Sequence, residues 1–349
     1  MSYNDGGSSS SNGSGNEPIF MLTTEQLTTL SYIDIATASL SVLGAGSILA
    51  SVCWTRTCCL PEVTPIFHLS LADLLASLCL LVGAALYATN YHGFYMFCHY
   101  LTGFTSAFYI CTFLLTLTYG VEVYIRMRDR LIRKEKTCRV GKCQLVYVFY
   151  IVAWGLPLLV AGTLSLITQY KKSDLLPVIP KNYDCSSCLP LFHYNDNVCW
   201  TENNKTYHIA AKYLFLGPMI FIIITNAIVY YLAFRAFQGS LLNQGLLGYT
   251  QRQEQYAVRN KSILYQLAFF FCWLPSLILG CVALYSKFDP KCVYWLYIVQ
   301  ACTSPLQGFL NSVIYGWKRD GFTRVITENT ALLGGSTNRQ NNDNITSSL

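Results

Sequence analysis

Long apolar stretches alternate with short polar connections along most of this chain. A helix needs about 20 mostly apolar residues to cross the hydrocarbon core of a bilayer, and seven stretches of about that length carry few charges. We predict a membrane-spanning helix from each of them. The stretches cover residues 30–52, 65–88, 95–123, 145–168, 213–234, 262–285 and 293–315.

Composition agrees with this pattern, because 53% of the 349 residues are hydrophobic and only 12% are charged, against about 25% in ordinary globular proteins. Residues 1–27 are rich in Ser, Gly and Asn and show no signal-peptide pattern. After residue 317, apolar and basic residues alternate as in a short amphipathic helix on the inner leaflet. We predict an all-α membrane protein with a disordered extracellular leader (1–27), a seven-transmembrane helix bundle (28–317), and an amphipathic eighth helix with a disordered cytoplasmic tail (318–349). No enzymatic activity is expected.

Basic residues predict the orientation of the bundle, because cytoplasmic connections of membrane proteins carry an excess of Lys and Arg. With the N-terminus outside, the cytoplasmic segments hold 17 of the 24 basic residues and the outer segments hold 7. We expect a multi-pass protein of the plasma membrane, with a cilium or an internal membrane as alternatives. The sequons at Asn12 and Asn204 then lie outside, where N-glycosylation is expected.

One acidic residue stands out within the second apolar stretch, in the sequence HLSLADLLASL. Burying the Asp73 carboxylate in hydrocarbon is costly unless it is paired. An aspartate stem is also too short to reach the membrane surface from this depth. Asp73 therefore marks a functional site or a buried polar network.

A second feature lies in the sixth stretch, in the sequence FFFCWLPSLI. Pro275 removes a backbone hydrogen bond and kinks a helix, and Trp273 places a large ring just before the kink. Membrane helices tolerate such kinks well. The pattern therefore predicts either a hinge or a static kink.

Five motifs on five of the predicted helices carry a family resemblance. They are LSLADLL on the second helix, AWGLPLL on the fourth, Pro218 on the fifth, FxxCWxP on the sixth and NSVIY on the seventh. In this order they resemble the rhodopsin-type G-protein-coupled receptors. The resemblance implies a receptor in which the sixth helix moves outward on activation.

The resemblance also implies roles for matching residues. A sodium ion or a proton would be held by Asp73, Thr112 and Asn311. An activation switch would be formed by Phe269, Trp273, Pro275 and Tyr315. The implied partners are an extracellular ligand, a heterotrimeric G protein, arrestin and the lipid bilayer. No nucleic acid is expected, and no cofactor or metal beyond the sodium ion.

The cysteines in the outward segments are candidates for disulfides, which persist outside the cell. They are Cys98, Cys185, Cys188, Cys199 and Cys292. Since this number is odd, at least one of them has no partner within the set. The family resemblance implies a disulfide between Cys98 and Cys199.

The chain departs from the rhodopsin-type pattern at the foot of the third helix. Glu122, Val123 and Tyr124 stand where that family has an acidic residue, an arginine and a tyrosine, so the arginine is missing. The sequence QGF in the seventh helix and a Cys-Trp pair in the second outer loop resemble the cyclic-AMP-receptor-like and secretin-like branches instead. The chain is therefore similar to an orphan receptor of an intermediate, cyclic-AMP-receptor-like group.

Arg126 offers a substitute for the missing arginine. Glu122 and Arg126 are spaced i, i+4 with the acid first, the order that favours an ion pair within a helix. One interpretation is that this pair locks the resting state, and the other is that the basic cluster only sets the topology. The predicted G-protein coupling site comprises Glu122, Val123, Tyr124 and Arg126.

The predicted ligand pocket in the outer halves of the helices contains rings and hydroxyls without charge. The last helix contains no lysine between Lys291 and Lys318, which excludes a retinal Schiff base. The outer third helix has Thr105 where an amine receptor has a carboxylate. We expect a neutral small-molecule ligand bound by Thr105, Tyr109, Tyr213, Tyr285, Tyr297 and Gln300.

Two other functions stay open. A receptor-shaped scaffold that has lost coupling to G proteins would explain the missing arginine. A transporter or channel would also be built from such helices, but the sequence shows neither an internal repeat nor a second midplane carboxylate for an ion relay.

Overall fold

A computed structural model describes residues 22–57, 60, 63–89, 95–131, 140–170, 188–189, 202–243, 249–283 and 290–316. Within these ranges all regular structure is helical. Six helices are long and apolar enough to cross a membrane, which confirms the first six predicted spans. They are α1 (Thr24–Trp54), α2 (Thr64–Ala88), α3 (Tyr95–Leu131), α4 (Val140–Tyr170), α5 (Glu202–Asn243) and α6 (Tyr249–Ala283).

The seventh apolar stretch is helical but divided. A 3-10 helix (Pro290–Val293) leads into α7 (Tyr294–Thr303), which a second 3-10 helix (Ser304–Leu306) joins to α8 (307–316). The 10 residues of α7 are too few to cross a bilayer alone. The structure therefore establishes six spanning helices and a broken seventh segment, which packs against α1 and α6.

Pro305 explains the break. Proline has no backbone N–H, so it cannot donate to the carbonyl four residues earlier, which belongs to Ala301. The Thr37 hydroxyl of α1 donates to that Ala301 carbonyl at 3.0 Å instead. The broken segment is thus hydrogen-bonded to α1 at the Ala301 carbonyl, which lacks its usual donor within the helix.

The start of α1 lies before the predicted bundle boundary at residue 28. Thr23 and Gln26 form a capping box, in which the Thr23 hydroxyl accepts from the Gln26 backbone and the Gln26 side chain accepts from the Thr23 backbone. Such a box satisfies two backbone donors that a helix start leaves unpaired. The helix therefore begins at Thr24, inside the stretch predicted as leader.

Two glycines bring α1 and α8 into direct backbone contact. A Cβ atom on Gly44 would lie 2.6 Å from the Phe309 Cα atom, and one on Gly308 would lie 2.5 Å from the Ser41 hydroxyl. Small residues are common where membrane helices approach this closely. The Ser77 hydroxyl of α2 donates to the Ser41 hydroxyl of α1 at 2.9 Å. This hydrogen bond connects α2 to the part of α1 that contacts α8.

Two ends of the bundle are distinguished below. The Cys98 end contains the starts of α1 and α3 and the end of α2. The Glu122 end contains the opposite termini, including the last turns of α3. These names describe position in the fold and imply no side of the membrane.

Candidate functional site

The predicted polar site at Asp73 is assembled from three helices. The Asn311 amide of α8 donates to one Asp73 carboxylate oxygen at 2.7 Å, and the Thr112 hydroxyl of α3 donates to the other at 3.2 Å. All three side chains are buried. The structure thus brings together the residues that the sequence predicted as a site, with a donor for each carboxylate oxygen.

The oxygens at this site suit a small hard cation. Carboxylate and hydroxyl oxygens are hard ligands, and Asp73 and Thr112 supply both kinds. The Ser41 and Ser77 hydroxyls lie nearby, since Gly308 approaches both Ser41 and the Cβ atom of Asp73. The arrangement is therefore chemically compatible with a sodium ion at Asp73.

Trp273 lies between this polar site and the Cys98 end. The Trp273 residue is 1% exposed. The centre of its ring lies 4.4 Å from the centre of the Phe113 ring and 4.8 Å from that of the Tyr109 ring, and both pairs are edge to face. Its Nε1–H donates to the Gln307 side-chain oxygen of α8. Phe269, also buried, packs on Phe113 with ring centres 5.8 Å apart.

The α6 helix continues through Pro275, and the kink expected there stays a prediction. Pro275 lies within the helix, and the nearby Cys272 carbonyl accepts hydrogen bonds from the Thr303 and Ser304 hydroxyls of the broken segment, each at 3.3 Å. The Ser276 and Ser304 hydroxyls are 2.6 Å apart. The part of α6 around Pro275 and the break after α7 are therefore joined by side-chain hydrogen bonds.

The Glu122–Arg126 ion pair is present at the foot of α3. The Tyr150 hydroxyl of α4 also donates to Glu122, at 3.3 Å. Both residues of the pair are partly exposed, so the pair lies at the rim of the bundle. This confirms the predicted contact, while its role as a lock stays a prediction.

Val123 points into the bundle at this end. It is 7% exposed and belongs to an apolar cluster with Tyr119, Tyr265 and Ile314, against which Tyr315 packs. The neighbouring Tyr124 is half-buried. The position of the missing arginine is thus filled by a well-packed apolar side chain.

The predicted disulfide partner of Cys98 was wrong. Cys98 is bonded to Cys188, so it has no valence left for Cys199. The neighbour of Cys188 explains this choice: Leu189 is 2% exposed and packs in an apolar cluster that includes Leu30 and Tyr297. The absence of a side chain on Gly83 makes room for the Cys188 carbonyl, which would lie 2.6 Å from a Cβ atom there.

The predicted ligand pocket is only partly assembled. Thr105, Tyr109 and Tyr297 are buried and Gln300 is half-buried, although the Thr105 hydroxyl donates to its own helix at Leu101. Tyr213 is 56% exposed, so the structure does not assemble it with the buried residues of the set, and its role in a pocket stays a prediction.

Several predictions fall on residues outside the described ranges, namely Cys199, Asn12, Tyr285, most of the leader and the amphipathic helix after residue 317. Asn204 lies in the first turn of α5. Glycosylation of Asn12 and Asn204 stays a prediction.

Sequence reasoning missed Asp34, a second carboxylate within the bundle. It lies in α1, within the first apolar stretch, and is 7% exposed. The rule that identified Asp73, an ionisable residue inside an apolar run, would also have identified Asp34. Asp34 lies near the start of the predicted span 30–52, so the sequence-based argument that a second midplane carboxylate is lacking is not affected.

These features define a multi-pass helical membrane protein with a buried polar site between α2, α3 and α8. The family model of transmembrane protein 116 matches residues 27–334. The chain belongs to the transmembrane protein 116 family.

Two relatives connect this family with receptors. Cyclic AMP receptor-like protein C of Dictyostelium discoideum is 22% identical over 282 residues, which cover 77% of this chain and 67% of that protein. G-protein coupled receptor 1 of Arabidopsis thaliana is 23% identical over 305 residues, which cover 85% and 80%. This chain is thus a receptor-like membrane protein.

Proposed function

We propose that this chain is a seven-span receptor with an extracellular N-terminus, which carries a small-molecule signal to heterotrimeric G proteins through movement of α6. In this proposal α7 and α8 together form the seventh span. The observation that carries the proposal is the position of Trp273, which contacts Tyr109 and Phe113 on one side and Gln307 on the other. The distant receptor-like relatives support it.

The proposed signal passes from the rings around Trp273 to the polar site. Tyr109 and Phe113 lie on α3 one turn apart, and Thr112 between them donates to Asp73. A ligand that displaces Trp273 would disturb both α3 and Gln307 of α8. A ligand moves such an equilibrium only through its difference in affinity for the two states. A sodium ion held by Asp73 and Thr112 would add a positive charge at this site, and this charge would favour one of the two conformational states.

At the Glu122 end, outward movement of α6 has to separate specific contacts. Tyr265 of α6 meets Tyr119 of α3 with ring centres 5.6 Å apart, and the Lys261 ammonium lies 5.2 Å from the centre of the Tyr315 ring. By contrast, the Tyr230 hydroxyl of α5 bonds to Ser262 of α6. We propose that α5 and α6 stay joined while the contacts of α6 with α3 and α8 open.

The ion pair of Glu122 and Arg126 restrains the foot of α3 in this mechanism. Tyr150 ties Glu122 to α4, so the pair links two helices. Release of Arg126 towards a G protein would substitute for the missing arginine. A Glu122→Gln variant is therefore expected to raise basal signalling.

Coupling is tested by basal second-messenger levels in cells that express a panel of G proteins. Edge-to-face ring pairs contribute about 0.5–1.5 kcal/mol each, so Trp273→Ala removes about 2 kcal/mol of contacts from one state and should shift the ratio of states more than tenfold. Leu274→Ala is the matched control, because Leu274 is 49% exposed on the same turn. Val123→Arg restores the family arginine. If Trp273→Ala, Val123→Arg and Glu122→Gln all leave every second messenger unchanged at equal surface expression, the coupling proposal fails.

A coupling-deficient scaffold is the second candidate, and the packing of Val123 favours it. An arginine that contacts a G protein needs a polar crevice, whereas Val123 is 7% exposed among apolar residues. Under this alternative the protein binds membrane partners, and no variant in the panel changes a second messenger. The same experiment therefore separates the two functions.

A further inference from the structure

Asp34 is a buried carboxylate without a partner. It is 7% exposed, and the described part of the chain provides its carboxylate with neither a hydrogen-bond donor nor a basic group. An uncompensated charge is expensive inside a protein. A residue of this kind inside a membrane bundle marks a functional site by default.

The contacts between α1 and α7 fix the level of Asp34 along α7. At one level the Tyr294 hydroxyl donates to the Gln26 carbonyl at 3.3 Å, and further along the Thr37 hydroxyl donates to the Ala301 carbonyl at 3.0 Å. Asp34 lies between these two contacts, one helical turn before Thr37. It is therefore level with the middle of α7.

The middle of α7 presents oxygen atoms that also lack partners. The Tyr297 hydroxyl is buried, with the whole residue 2% exposed, and among the described residues it has no hydrogen-bond partner. The Gln300 side-chain oxygen, one turn further on, is buried and unpartnered in the same sense. Tyr109 of α3 lies within electrostatic range of Asp34. This part of the bundle thus combines a carboxylate with acceptor oxygens that have no donor.

The segment at Cys188 covers this region from the Cys98 end. Leu189 packs in one apolar cluster with Leu30 and Tyr297. Its neighbour Cys188 is held by the disulfide to Cys98. Tyr297, which carries one of the unpartnered oxygens, therefore packs against Leu189, and the disulfide of the adjacent Cys188 holds this segment in place.

We infer that Asp34, Tyr297 and Gln300 bind a small ligand that carries a protonated amine. An ammonium group has three N–H donors, which match the carboxylate, the hydroxyl and the amide oxygen. The attraction between opposite charges is also stronger in a low-dielectric interior than in water, and the tyrosine rings favour a nearby cation. The inference replaces the neutral ligand expected from sequence, and its signalling consequence rests on the proposed receptor function.

Direct binding tests this inference without any G protein. The purified full-length protein in lipid nanodiscs is heated with phenethylammonium or with phenethyl alcohol, its neutral analogue of the same shape. We expect phenethylammonium to raise the unfolding midpoint by about 2–4 °C more than the alcohol, the size of shift that about 1 kcal/mol of binding linkage produces. Asp34→Asn should abolish the difference and Tyr297→Phe should reduce it.

Ser39→Ala is the matched control, because Ser39 lies on α1 and bonds only to its own helix at Ile35. The Ser39→Ala variant should show the same difference as the wild type between the midpoint shifts caused by phenethylammonium and by phenethyl alcohol. Equal shifts from the two compounds in the wild type, or a preserved difference in Asp34→Asn, would overturn the inference. Amine-specific binding together with unchanged second messengers would instead leave this site standing and reject only the coupling proposal.

Discussion

Two buried carboxylates in this bundle have opposite surroundings. Asp73 is 4% exposed and receives hydrogen bonds from Asn311 and Thr112. Asp34 is 7% exposed and receives none within the described part of the chain. Since an unsatisfied buried charge is unfavourable, the comparison separates an acid that the protein itself supplies with hydrogen-bond donors from one that, in our inference, a ligand completes.

The packing around the two acids differs in the same way. Near Asp73 the backbones of α1 and α8 touch at Gly44 and Gly308, and a Cβ atom on Gly308 would lie 3.2 Å from the Asp73 Cβ. Near Asp34 the neighbouring helix is α7, which carries the unpartnered Tyr297 hydroxyl. Close packing thus coincides with the satisfied acid.

The largest expected fall in thermal stability comes from removing a hydrogen-bond donor of Asp73, which leaves Asp73 less satisfied, as Asp34 is. Asn311→Leu keeps the size of the side chain but removes the donor at 2.7 Å. A hydrogen bond to a charged group typically contributes about 1.5–3 kcal/mol, so we expect a marked fall in the thermal midpoint of the purified protein. The matched control is Asn226→Leu, because the amide of Asn226 has no partner among the described residues. Equal losses for both variants would contradict the distinction.

A smaller effect is expected from overcrowding the close packing around Asp73. Gly308→Ala places a methyl group against Ser41, Ala45 and Asp73, and overpacking of this kind costs about 1–3 kcal/mol. Gly316→Ala, at the end of the same helix, meets nothing within 4 Å. Thermal unfolding should therefore show a loss for Gly308→Ala and none for Gly316→Ala, and a loss of the same size at both positions would refute the explanation.

The smallest expected effect concerns the unsatisfied acid. Asp34→Asn removes an ionisable group without removing a hydrogen bond, and a neutral amide costs less to bury than an unpaired charge. In the absence of amines we expect a midpoint equal to the wild type or up to about 2 °C higher. Asp73→Asn, which disturbs satisfied bonds, should lower the midpoint. A fall for Asp34→Asn as large as that for Asp73→Asn would show that Asp34 has a partner within the protein.

Sequence alone predicted the helices well because membrane crossing imposes a length and a composition. It placed their ends poorly, since charges mark where hydrocarbon ends and not where a helix ends. Thus α3 continues to Leu131 and α5 begins at Glu202, well beyond the apolar stretches. The break at Pro305 was not predicted either, because the compensating donor, Thr37, lies on a distant helix.

The candidate site was predictable at positions where a single residue is unusual for its local sequence. Asp73 and Trp273 are unusual in their local sequence, and the structure places the expected Asn311 and Thr112 beside Asp73. Facing direction was less predictable: Tyr213 and Tyr297 both lie in apolar stretches, yet one is exposed and the other buried. The disulfide partner of Cys98 depended on where Leu189 packs, which no local pattern records.

The contact of α1 with α8 has a mechanical consequence. Because Gly44 and Gly308 leave no side chain between the two backbones, these helices have no soft layer across which to slide. The α6 helix, by contrast, meets α3 and α8 through long side chains such as Tyr265 and Lys261. If α6 moves as we propose, a spectroscopic probe on α6 should respond to activation, whereas a probe at the contact of α1 with α8 should not.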